Sequence, residues 1–460
     1  QKTAYEIGVR LVGSEMCIRD RSYYIETYGC QMNVADSELV SGLLTKAGYS
    51  EAEDIYNADA IFVNTCAIRE HAEEKVHSRL GYYHQIKKKN PKTIIGLLGC
   101  MAQNLKEDIL ESKPYVDIVL GPDSYRRLPD MIEKRNGNST HLVDTKLSRF
   151  EVYDDMFPSR HLGINAWVPI MRGCDKFCTF CIVPFTRGRE RSRGLEGIID
   201  EITQAVSDGF IEITLLGQNV NSYNHEGRGF HELLDAIASV VGVKRIRYTS
   251  PHPQDMTKDV LDVMGKHDNI CNYVHLPLQA GNNKVLKRMN RTYTKEQFIS
   301  LVGQIRDRLP RVGISTDIIV GFPGENEFEF EETLEVMDEI KFDSAYTFKY
   351  SSRPGTKAAE FEDHVAESEK QDRLERVIKA QKAHTLQRNK SILGRIEMVL
   401  VEKESKRSTN QWAGRTDSNK WVIFNKENSH IRDFIPVKIT EAKGISLHGK
   451  IVQLQEMEAA

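Results

Sequence analysis

Three cysteines that each follow a strand-like segment constrain the first part of the chain most strongly. The segments YYIETYGC, ADAIFVNTC and KTIIGLLGC end at Cys30, Cys66 and Cys100. Spacings of 36 and 34 residues fit one βα unit each, and helical patterns lie between the segments, the first over about Val34 to Lys46. Strands that alternate with helices predict right-handed crossovers and a parallel, doubly wound α/β domain.

The placement of these thiols points to one shared site. Each follows the carboxyl end of its strand, which is where open α/β sheets bind their ligands. Three thiols that are far apart in sequence can therefore converge. The alternative is three buried core residues, because free cysteine packs as a small hydrophobe. Recurrence at the same place in three consecutive units favours the shared site.

A second cysteine group has the spacing of a metal site with one ligand missing. GCDKFCTFC places Cys174, Cys178 and Cys181 at C-x3-C-x2-C spacing, and four arginines follow within TRGRERSR. Iron–sulfur cubanes and structural zinc sites take four ligands, yet the next cysteine is Cys271 and the nearest upstream histidine is His161. The pattern favours a cubane with one open iron. A zinc knuckle is the alternative, and it lacks its fourth ligand.

A second βα series begins at Trp167. Six strand-like segments alternate with helical patterns: AWVPIMRG, IEITLLGQN, RIRYTSP, NYVHLPLQ, GISTDIIVGFPG and SAYTFKYS. Six such units predict a partial (βα)6 barrel of the TIM type, whose chemistry lies at the carboxyl ends of its strands. The second cysteine group follows the first of these strands. A polar, charged helix from about Ala366 to Lys390 leads out of the barrel.

The last 65 or so residues change to short β-branched strands broken by Gly, Asn and Ser, which predicts a small β-barrel. Residues 394–450 hold 11 Lys and Arg against 7 Asp and Glu. Basic residues among aromatic ones suit an RNA-binding module, with Arg415, Lys420, Trp412 and Trp421 as predicted contacts. An ordinary solvated barrel surface is the alternative.

Composition excludes several classes of protein. Eight cysteines in 460 residues are too dilute for a disulfide scaffold, and their grouping favours metal or redox chemistry in a reducing compartment. No stretch approaches the ~18–20 apolar residues of a membrane span. The first 21 residues match nothing later in the chain, so we interpret residues 1–21 as a non-native lead and Cys17 as an odd thiol. We expect a cytoplasmic monomer.

The residues described so far resemble a known family. Cys174, Cys178 and Cys181, with Phe180 before the third cysteine, resemble the defining triad of radical S-adenosylmethionine enzymes. A three-cysteine α/β domain, a radical barrel and a basic β-barrel is the plan of the methylthiotransferases. ETYGCQMN, CDKFCTFCIVPFTRGRERSR, RYTSPHP, STDIIVGFPGE and GRTDSNKWVIF are similar to the MiaB-type tRNA enzymes in particular. The resemblance implies a methylthiotransferase domain over 22–150, a radical core over 160–390 and a TRAM domain over 393–456.

The resemblance also implies the cofactors. Two [4Fe-4S] clusters would be held by the two cysteine groups, and S-adenosylmethionine would bind in the barrel. DIIVGFPGE resembles the family's Gly-x-Ile-x-Gly segment, except that Asp317 replaces the first glycine, and in LLGQN only Gly217 matches the family's Gly-Gly-Glu. Ordinary barrel packing is the alternative for each of these positions. The predicted cofactor contacts are Phe180, Arg191, Gly217, Gln279, Asp317, Ile319 and Gly321.

The activity implied is methylthiolation of C2 of N6-isopentenyladenosine beside the tRNA anticodon. One S-adenosylmethionine would supply the methyl group and a second would serve as the radical source. The expected partners are tRNA that carries isopentenyladenosine in its anticodon stem-loop and an electron donor such as a flavodoxin or ferredoxin. Relatives that modify an aspartate of a ribosomal protein or threonylcarbamoyladenosine in tRNA are alternatives. An iron–sulfur electron carrier and a non-catalytic RNA-binding protein are the non-enzymatic ones.

Overall fold

The computed structural model describes residues 21–66, 70–137 and 141–453, so the predicted lead and Cys17 lie outside the described residues, apart from Arg21. The first domain alternates strands with helices, as predicted. Its elements are β1 (Arg21–Tyr28), α1 (Gln31–Lys46), β2 (Tyr49–Glu51), β3 (Ala60–Thr65), α2 (Glu70–Lys89), β4 (Ile94–Gly99), α3 (Cys100–Leu105), α4 (Asp108–Ser112), β5 (Ile118–Leu120), α5 (Leu128–Gly137) and β6 (Leu142–Asp144).

These strands form one parallel sheet of order β2-β1-β3-β4-β5-β6. Strands β3 and β4 are buried along their whole length, which explains the apolar runs AIFV and IIGLLG in the sequence. The chain winds outward from β1 in both directions, so a topological switch point lies between β1 and β3. Ligands of such sheets bind at the carboxyl ends of the strands that flank this point.

The second domain is the predicted barrel. Its elements are β7 (Asn165–Pro169), β8 (Met171–Arg172), α6 (Val183–Arg187), β9 (Arg191–Ser192), α7 (Leu195–Ser207), β10 (Glu212–Leu216), β11 (Asn224–His225), β12 (Arg228–Gly229), α8 (Phe230–Ala238), β13 (Arg245–Tyr248), α9 (Lys258–Lys266), β14 (Tyr273–His275), α10 (Asn283–Arg288), α11 (Lys295–Arg308), β15 (Gly313–Val320), α12 (Glu327–Ile340), β16 (Ser344–Lys349) and α13 (Glu367–Lys390).

Six of these strands are parallel, in the orders β7-β10-β13 and β14-β15-β16. A parallel bridge between Ile246 and Ile270 joins the two halves. The (βα)6 prediction is therefore confirmed. Helix caps follow the sequence closely: Asn326 and Glu329 form a capping box at the start of α12, and Thr294 and Gln297 form one at the start of α11.

The third domain has five strands: β17 (Ile396–Ser405), β18 (Ser408–Arg415), β19 (Trp421–Asn425), β20 (Phe434–Lys443) and β21 (Ser446–Ile451). They form a closed barrel in the order β17-β18-β19-β21-β20. Nine apolar residues, among them Trp412 and Phe424, fill its interior. No helix among the described residues is long and apolar enough to cross a membrane.

This small barrel packs on the amino ends of the central barrel's strands. Arg245, the first residue of β13, donates to the carbonyl oxygens of Arg415 (2.7 Å) and Met398 (2.9 Å). Arg247 donates to those of Thr416 (2.9 Å) and Asp417 (3.1 Å). The third domain therefore lies at the end opposite to the carboxyl ends, where the cysteines are found.

Candidate active site: two groups of three cysteines

The first cysteine group lies at the switch point of the N-terminal sheet. Cys30 follows β1 and precedes α1, Cys66 follows β3, and Cys100 is the first residue of α3, directly after β4. Cys66 and Cys100 are buried and Cys30 is half-buried. A hydrogen bond with the Cys66 thiol lowers the pKa of Cys30 to about 6 against the effect of burial, and the Arg187 charge adds to this. The Cys30 thiol contacts that of Cys66, and its charge acts on Cys100, so the three βα units bring these thiols together; their role as cluster ligands stays a prediction.

Glycines allow the chain to turn tightly before two of these cysteines. Gly29 has a φ of +142°, and a Cβ there would lie 2.8 Å from Cβ of Cys66. Gly99 has a φ of +86°, and a Cβ there would lie 2.2 Å from Oδ1 of Asn64. Only glycine tolerates both the left-handed backbone and the close approach. The Gly-Cys pairs of the sequence therefore have a structural cause.

The second cysteine group lies on the loop after β8, at the carboxyl end of the barrel. Burial raises the pKa of Cys174 to about 11 and that of Cys181 to about 12, and the nearby Cys178 thiol adds to both shifts. A bound cation would reverse this, because metal coordination deprotonates a thiol. Without a metal, Cys174 and Cys181 therefore favour the neutral thiol.

A segment after α10 fixes the loop that carries this group. Asn290 Nδ2 donates to the carbonyl oxygens of Lys176 (3.2 Å) and Phe177 (2.9 Å). The Thr179 hydroxyl donates to the carbonyl oxygen of Arg288 (2.8 Å). Arg291 Nη1 lies 3.3 Å from Sγ of Cys178. The sequence gives no signal for this support, because nothing in the RMNRTY segment marks it as a partner of a loop more than a hundred residues away.

The two cysteine groups face each other across the interface between the first two domains. Cys30 packs with Met32 and Ala35 of α1 against Leu216, the last residue of β10. Cys100 packs against Ile182, which directly follows Cys181. The carboxyl ends of the sheet and of the barrel thus meet, and both groups belong to one region.

Buried arginines join the domains here. Arg187 Nε donates to Sγ of Cys100 (3.1 Å), and its Nη2 donates to Oδ2 of Asp36 (2.7 Å). Arg172 Nη2 donates to the other oxygen of Asp36 (2.8 Å). Although burial opposes ionisation, these two guanidinium groups hold the pKa of Asp36 below its usual value. The run of arginines after the cysteines was the only sequence signal for this link.

Both groups fit anionic iron–sulfur clusters. Within the described ranges, no three His, Cys, Asp or Glu side chains stand close enough to chelate a single metal ion. A cubane instead spreads its thiolate ligands over several iron atoms. Each group has one arginine donor on a thiol sulfur, from Arg187 or Arg291, which suits the negative charge of a thiolate-bound cluster.

Most of the predicted S-adenosylmethionine contacts line the carboxyl end of the barrel. Gln279 has a φ of +70° and pairs with β15 through its backbone. Its N–H donates to the carbonyl oxygen of Asp317 (2.8 Å), and its carbonyl oxygen accepts from the N–H of Ile319 (2.9 Å). Phe180 meets the ring of Phe322 edge to face at 6.4 Å. Buried amide oxygens of Gln218, Asn219 and Gln279 have no hydrogen-bond partner in the described part of the chain. Unpaired buried acceptors at this end suit a polar ligand.

The remaining predicted cofactor residues make contacts within the protein. A Cβ on Gly217 would lie 2.8 Å from Cγ of Met171, and one on Gly321 would lie 2.3 Å from Cγ of Lys370. Arg191 Nη2 donates to Oδ1 of Asp123 (3.0 Å), and its Nη1 donates to the carbonyl oxygen of Ser148. Arg191 therefore joins the first two domains, and its contact with a cofactor stays a prediction.

The predicted RNA contacts face inward rather than toward solvent. Arg415 pairs with Glu212 (2.9 Å) and Glu402 (2.6 Å), and Lys420 pairs with Asp343 (2.5 Å). These placements argue against direct RNA contact, because the charges are already neutralised within the chain.

The two tryptophans are covered as well. Trp412 is buried in the small barrel, where its indole N–H donates to the carbonyl oxygen of Ser429 (3.1 Å). Trp421 is half-buried under the ammonium group of Lys403, which lies 4.4 Å from the ring centroid. Trp412 is thus unavailable for stacking on a base, and stacking on Trp421 would have to displace the cations that lie over its ring.

Three family models match the three domains. They are Uncharacterized protein family UPF0004 over residues 22–121, the Radical SAM superfamily over 168–337 and the TRAM domain over 390–452. A tRNA-2-methylthio-N(6)-dimethylallyladenosine synthase of Parabacteroides distasonis is 47% identical over 441 residues, which cover 94% of this chain and 96% of the relative. The like-named protein of Carboxydothermus hydrogenoformans is 44% identical over 94% of this chain and 100% of the relative.

The chain belongs to the radical S-adenosylmethionine methylthiotransferase family. It is an enzyme of that class, and S-adenosylmethionine and a [4Fe-4S] cluster are the cofactors that its radical domain uses. Among solved structures, the radical S-adenosylmethionine methyltransferase TsrM of Kitasatospora setae has a TM-score of 0.56 at 14% identity, covering 74% of this chain and 77% of TsrM. That likeness shows a shared fold.

Proposed function

We propose that the enzyme converts N6-isopentenyladenosine beside the tRNA anticodon into its 2-methylthio derivative. The observation that carries the proposal is the meeting of two three-cysteine groups at one end of the barrel, through the contacts of Cys30 with Leu216 and of Cys100 with Ile182. Replacement of an unactivated aromatic C–H by C–S needs both a radical and a sulfur source, and two cysteine sites side by side can supply both. The relatives' names support the substrate.

We propose one [4Fe-4S] cluster in each group, each with an open iron. When bound, the cluster on Cys174, Cys178 and Cys181 supplies the adenosyl radical from S-adenosylmethionine, and the cluster on Cys30, Cys66 and Cys100 carries the sulfur. The protein excludes water and holds the reacting parts in place. The N-terminal domain does this by covering the carboxyl end of the barrel, and the unpaired amides of Gln218 and Gln279 are available to orient the methionyl or ribose groups.

The target adenosine must leave its stack to reach this buried region. That costs least in an anticodon loop, where the bases are partly unpaired. We propose a small electron-transfer protein such as a flavodoxin or ferredoxin as the reductant, because reductive cleavage of the sulfonium needs an electron from outside. We propose a cytoplasmic monomer, since tRNA is the substrate and both cysteine groups lie within one chain.

We further propose that RNA binds the outer face of the β20–β21 hairpin and the neighbouring turn between β17 and β18, which we call the hairpin face (Arg407, Lys438, Lys443, His448 and Lys450). Lys438 and Lys450 lie directly opposite each other on neighbouring strands. Both are exposed, and neither has an ion-pair partner within the described ranges. Like charges in such a pair are destabilising, so a polyanion bound there offsets the repulsion. Burial lowers the pKa of His448, and the charges of Lys443 and Arg407 lower it further against that of Glu441, which pairs with Lys443 (2.8 Å).

The position of the hairpin face dictates which part of the tRNA it contacts. The small barrel caps the amino ends of the central strands, and β15 alone spans 8 residues. At about 3.3 Å per residue this strand is roughly 26 Å long, and with the usual tilt of about 36° it separates the two ends of the barrel by roughly 21 Å. The hairpin face therefore holds a part of the tRNA remote from the reacting base.

The test is nucleoside mass spectrometry of tRNA from cells with and without the gene for this chain. The proposal requires 2-methylthio-N6-isopentenyladenosine in the first sample and unmodified N6-isopentenyladenosine in the second. Identical tRNA in both samples, with loss of a methylthio group from a ribosomal protein, would overturn it in favour of the protein-modifying relatives.

A further inference from the structure

The guanidinium group of Arg187 is held by the N-terminal domain although the residue belongs to the barrel. Arg187 ends α6, six residues after Cys181, and its side chain is 4% exposed. Its Nε lies 3.1 Å from Sγ of Cys100, and its Nη2 lies 2.7 Å from Oδ2 of Asp36. Its Nη1 is buried and has no hydrogen-bond partner in the described part of the chain. One donor is therefore free beside the first cysteine group.

Arg187 shares its acidic partner with a second guanidinium group. Arg172 and Arg187 share the single carboxylate of Asp36, whose side chain is fully buried. The third side chain on this carboxylate is the Tyr125 hydroxyl, which lies 3.3 Å from Oδ2 and carries no charge to compensate. Asp36 is therefore divided between two guanidinium groups, and an anion beside Cys100 would give Arg187 a second negative partner.

The geometry points to Arg187 as a positioning residue for this site. We propose that its Nε holds the Cys100 thiolate and that its free Nη1 donates to an anionic sulfur ligand, a sulfide or an alkanethiolate, at the position that the three cysteines leave open. Donors around thiolate-bound metals orient the ligands and tune the metal, so the free N–H has a purpose only when the site is loaded. This inference rests on the proposed sulfur-carrying role of Cys30, Cys66 and Cys100.

The test uses the full chain with Cys174, Cys178 and Cys181 replaced by alanine, so that only the first group can be loaded with iron. Arg187→Met and Arg187→Lys are made in that background and reconstituted anaerobically. Sodium methanethiolate is titrated into the reduced protein, and its binding is read from the change in the electron paramagnetic resonance spectrum. Iron content and circular dichroism are measured on the same samples.

We expect Arg187→Met to retain its fold and to bind methanethiolate about 10- to 100-fold more weakly, the usual cost of losing such a supporting donor. Arg187→Lys should be intermediate, because lysine keeps the charge but lacks the guanidinium fork. Arg172→Met is the matched control: it removes the other guanidinium on Asp36, yet that group makes no described contact with a cysteine, so affinity should change less than twofold.

Three results would overturn the inference. The first is unchanged affinity in Arg187→Met, and the second is an equal loss in Arg172→Met. The third is loss of iron from both Arg187 variants with an intact fold, which would assign Arg187 to cluster assembly instead. If Arg187→Met loses iron but Arg187→Lys does not, the methanethiolate affinity of Arg187→Lys is the deciding measurement, and an unchanged affinity there would overturn the inference. The binding assay contains no RNA, so it is independent of the proposed tRNA substrate. If the protein binds methanethiolate as expected but modifies no tRNA, the proposed substrate is wrong and the inference about Arg187 is unaffected.

Discussion

Each end of the central barrel is covered by another domain, and buried arginines make contacts at both interfaces. The two ends differ in whether the nitrogens of these arginines have hydrogen-bond partners. At the amino end, Arg245 and Arg247 donate to four backbone carbonyl oxygens of the small barrel. At the carboxyl end, Arg172, Arg187 and Arg191 each keep one nitrogen without a partner among the described residues. Buried polar groups normally have hydrogen-bond partners. The arginines at the amino end therefore belong to a structural interface between domains, whereas the unpaired donors at the carboxyl end are suited to a bound ligand.

The largest expected effect comes from removing either cysteine group. Alanine at Cys174, Cys178 and Cys181 should halve the iron of reconstituted protein, from about eight to about four atoms, and abolish cleavage of S-adenosylmethionine. Alanine at the three cysteines of the first group should also halve the iron but leave cleavage intact. Iron analysis and deoxyadenosine release measure both.

Cys271 supplies the control for that experiment. It is buried and bonded through its backbone to Ile246, near the amino end of β13. Cys271→Ala should therefore leave the iron content unchanged. Loss of iron in this variant would contradict the prediction that iron binds only at the carboxyl end of the barrel.

The isopentenyl tail should decide which RNA reacts at the carboxyl end. Burial of five apolar carbons is worth roughly 2–4 kcal/mol at about 0.8 kcal/mol per CH2. That corresponds to about 30- to 1000-fold in affinity. Single-turnover reactions of one anticodon stem-loop with and without the tail, scored for methylthio product and for deuterium moved from C2 to deoxyadenosine, measure the effect. Equal product from both RNAs would refute this order of modification.

At the amino end, Arg247→Leu should destabilise the interface between domains without touching the chemistry. The Arg247 side chain is 6% exposed and pairs with Glu212 (3.0 Å), and loss of one partner of a buried pair costs about 3–5 kcal/mol. Denaturant unfolding should show this loss, while cleavage of S-adenosylmethionine stays normal. Arg189→Leu is the control, because its pair with Asp175 is exposed and its loss should leave the free energy of unfolding nearly unchanged. Normal stability with lost cleavage in Arg247→Leu would contradict the assignment.

The smallest effect concerns the hairpin face. Lys438→Gln with Lys450→Gln should lower the salt dependence of binding to full-length tRNA by about two units of slope, one per lost phosphate contact. Binding of a short anticodon stem-loop should stay the same. Arg415→Gln with Lys420→Gln carries the same charge change and should lower stability but not the slope. If the salt dependence of tRNA binding falls only in the Arg415→Gln, Lys420→Gln variant, these two residues contact RNA, as the sequence predicted, and the hairpin face does not.

Sequence patterns predicted the architecture because local signals carry it. Spacing between strand-like segments located the three βα units with Cys30, Cys66 and Cys100, and the six barrel strands were recognised from their apolar runs. The short strands β5 and β6, of three residues each, were not predicted, since three residues give no period. The convergence of the first cysteine group followed from the rule that ligands bind at strand carboxyl ends.

What the sequence could not give is the partner of each charge. Arg415 and Lys420 look like RNA contacts until Glu212 and Asp343 of another domain are seen to neutralise them. Trp412 looks like a stacking platform, yet it fills the interior of its own barrel. In the sequence, Arg187 is one of four neighbouring arginines, and only the fold shows that it donates hydrogen bonds to Asp36 and Cys100. Such pairings depend on domain docking, which no local pattern records.

The contact of Arg187 with Asp36 and Cys100 also limits how this enzyme can be recombined. The family models divide the chain into separable modules, with one boundary between residues 121 and 168. A chimera cut there would take its N-terminal module from one parent and α6 from another. We expect such exchanges to succeed only when both parents supply the matching carboxylate and guanidinium, so the unit of inheritance is larger than either module.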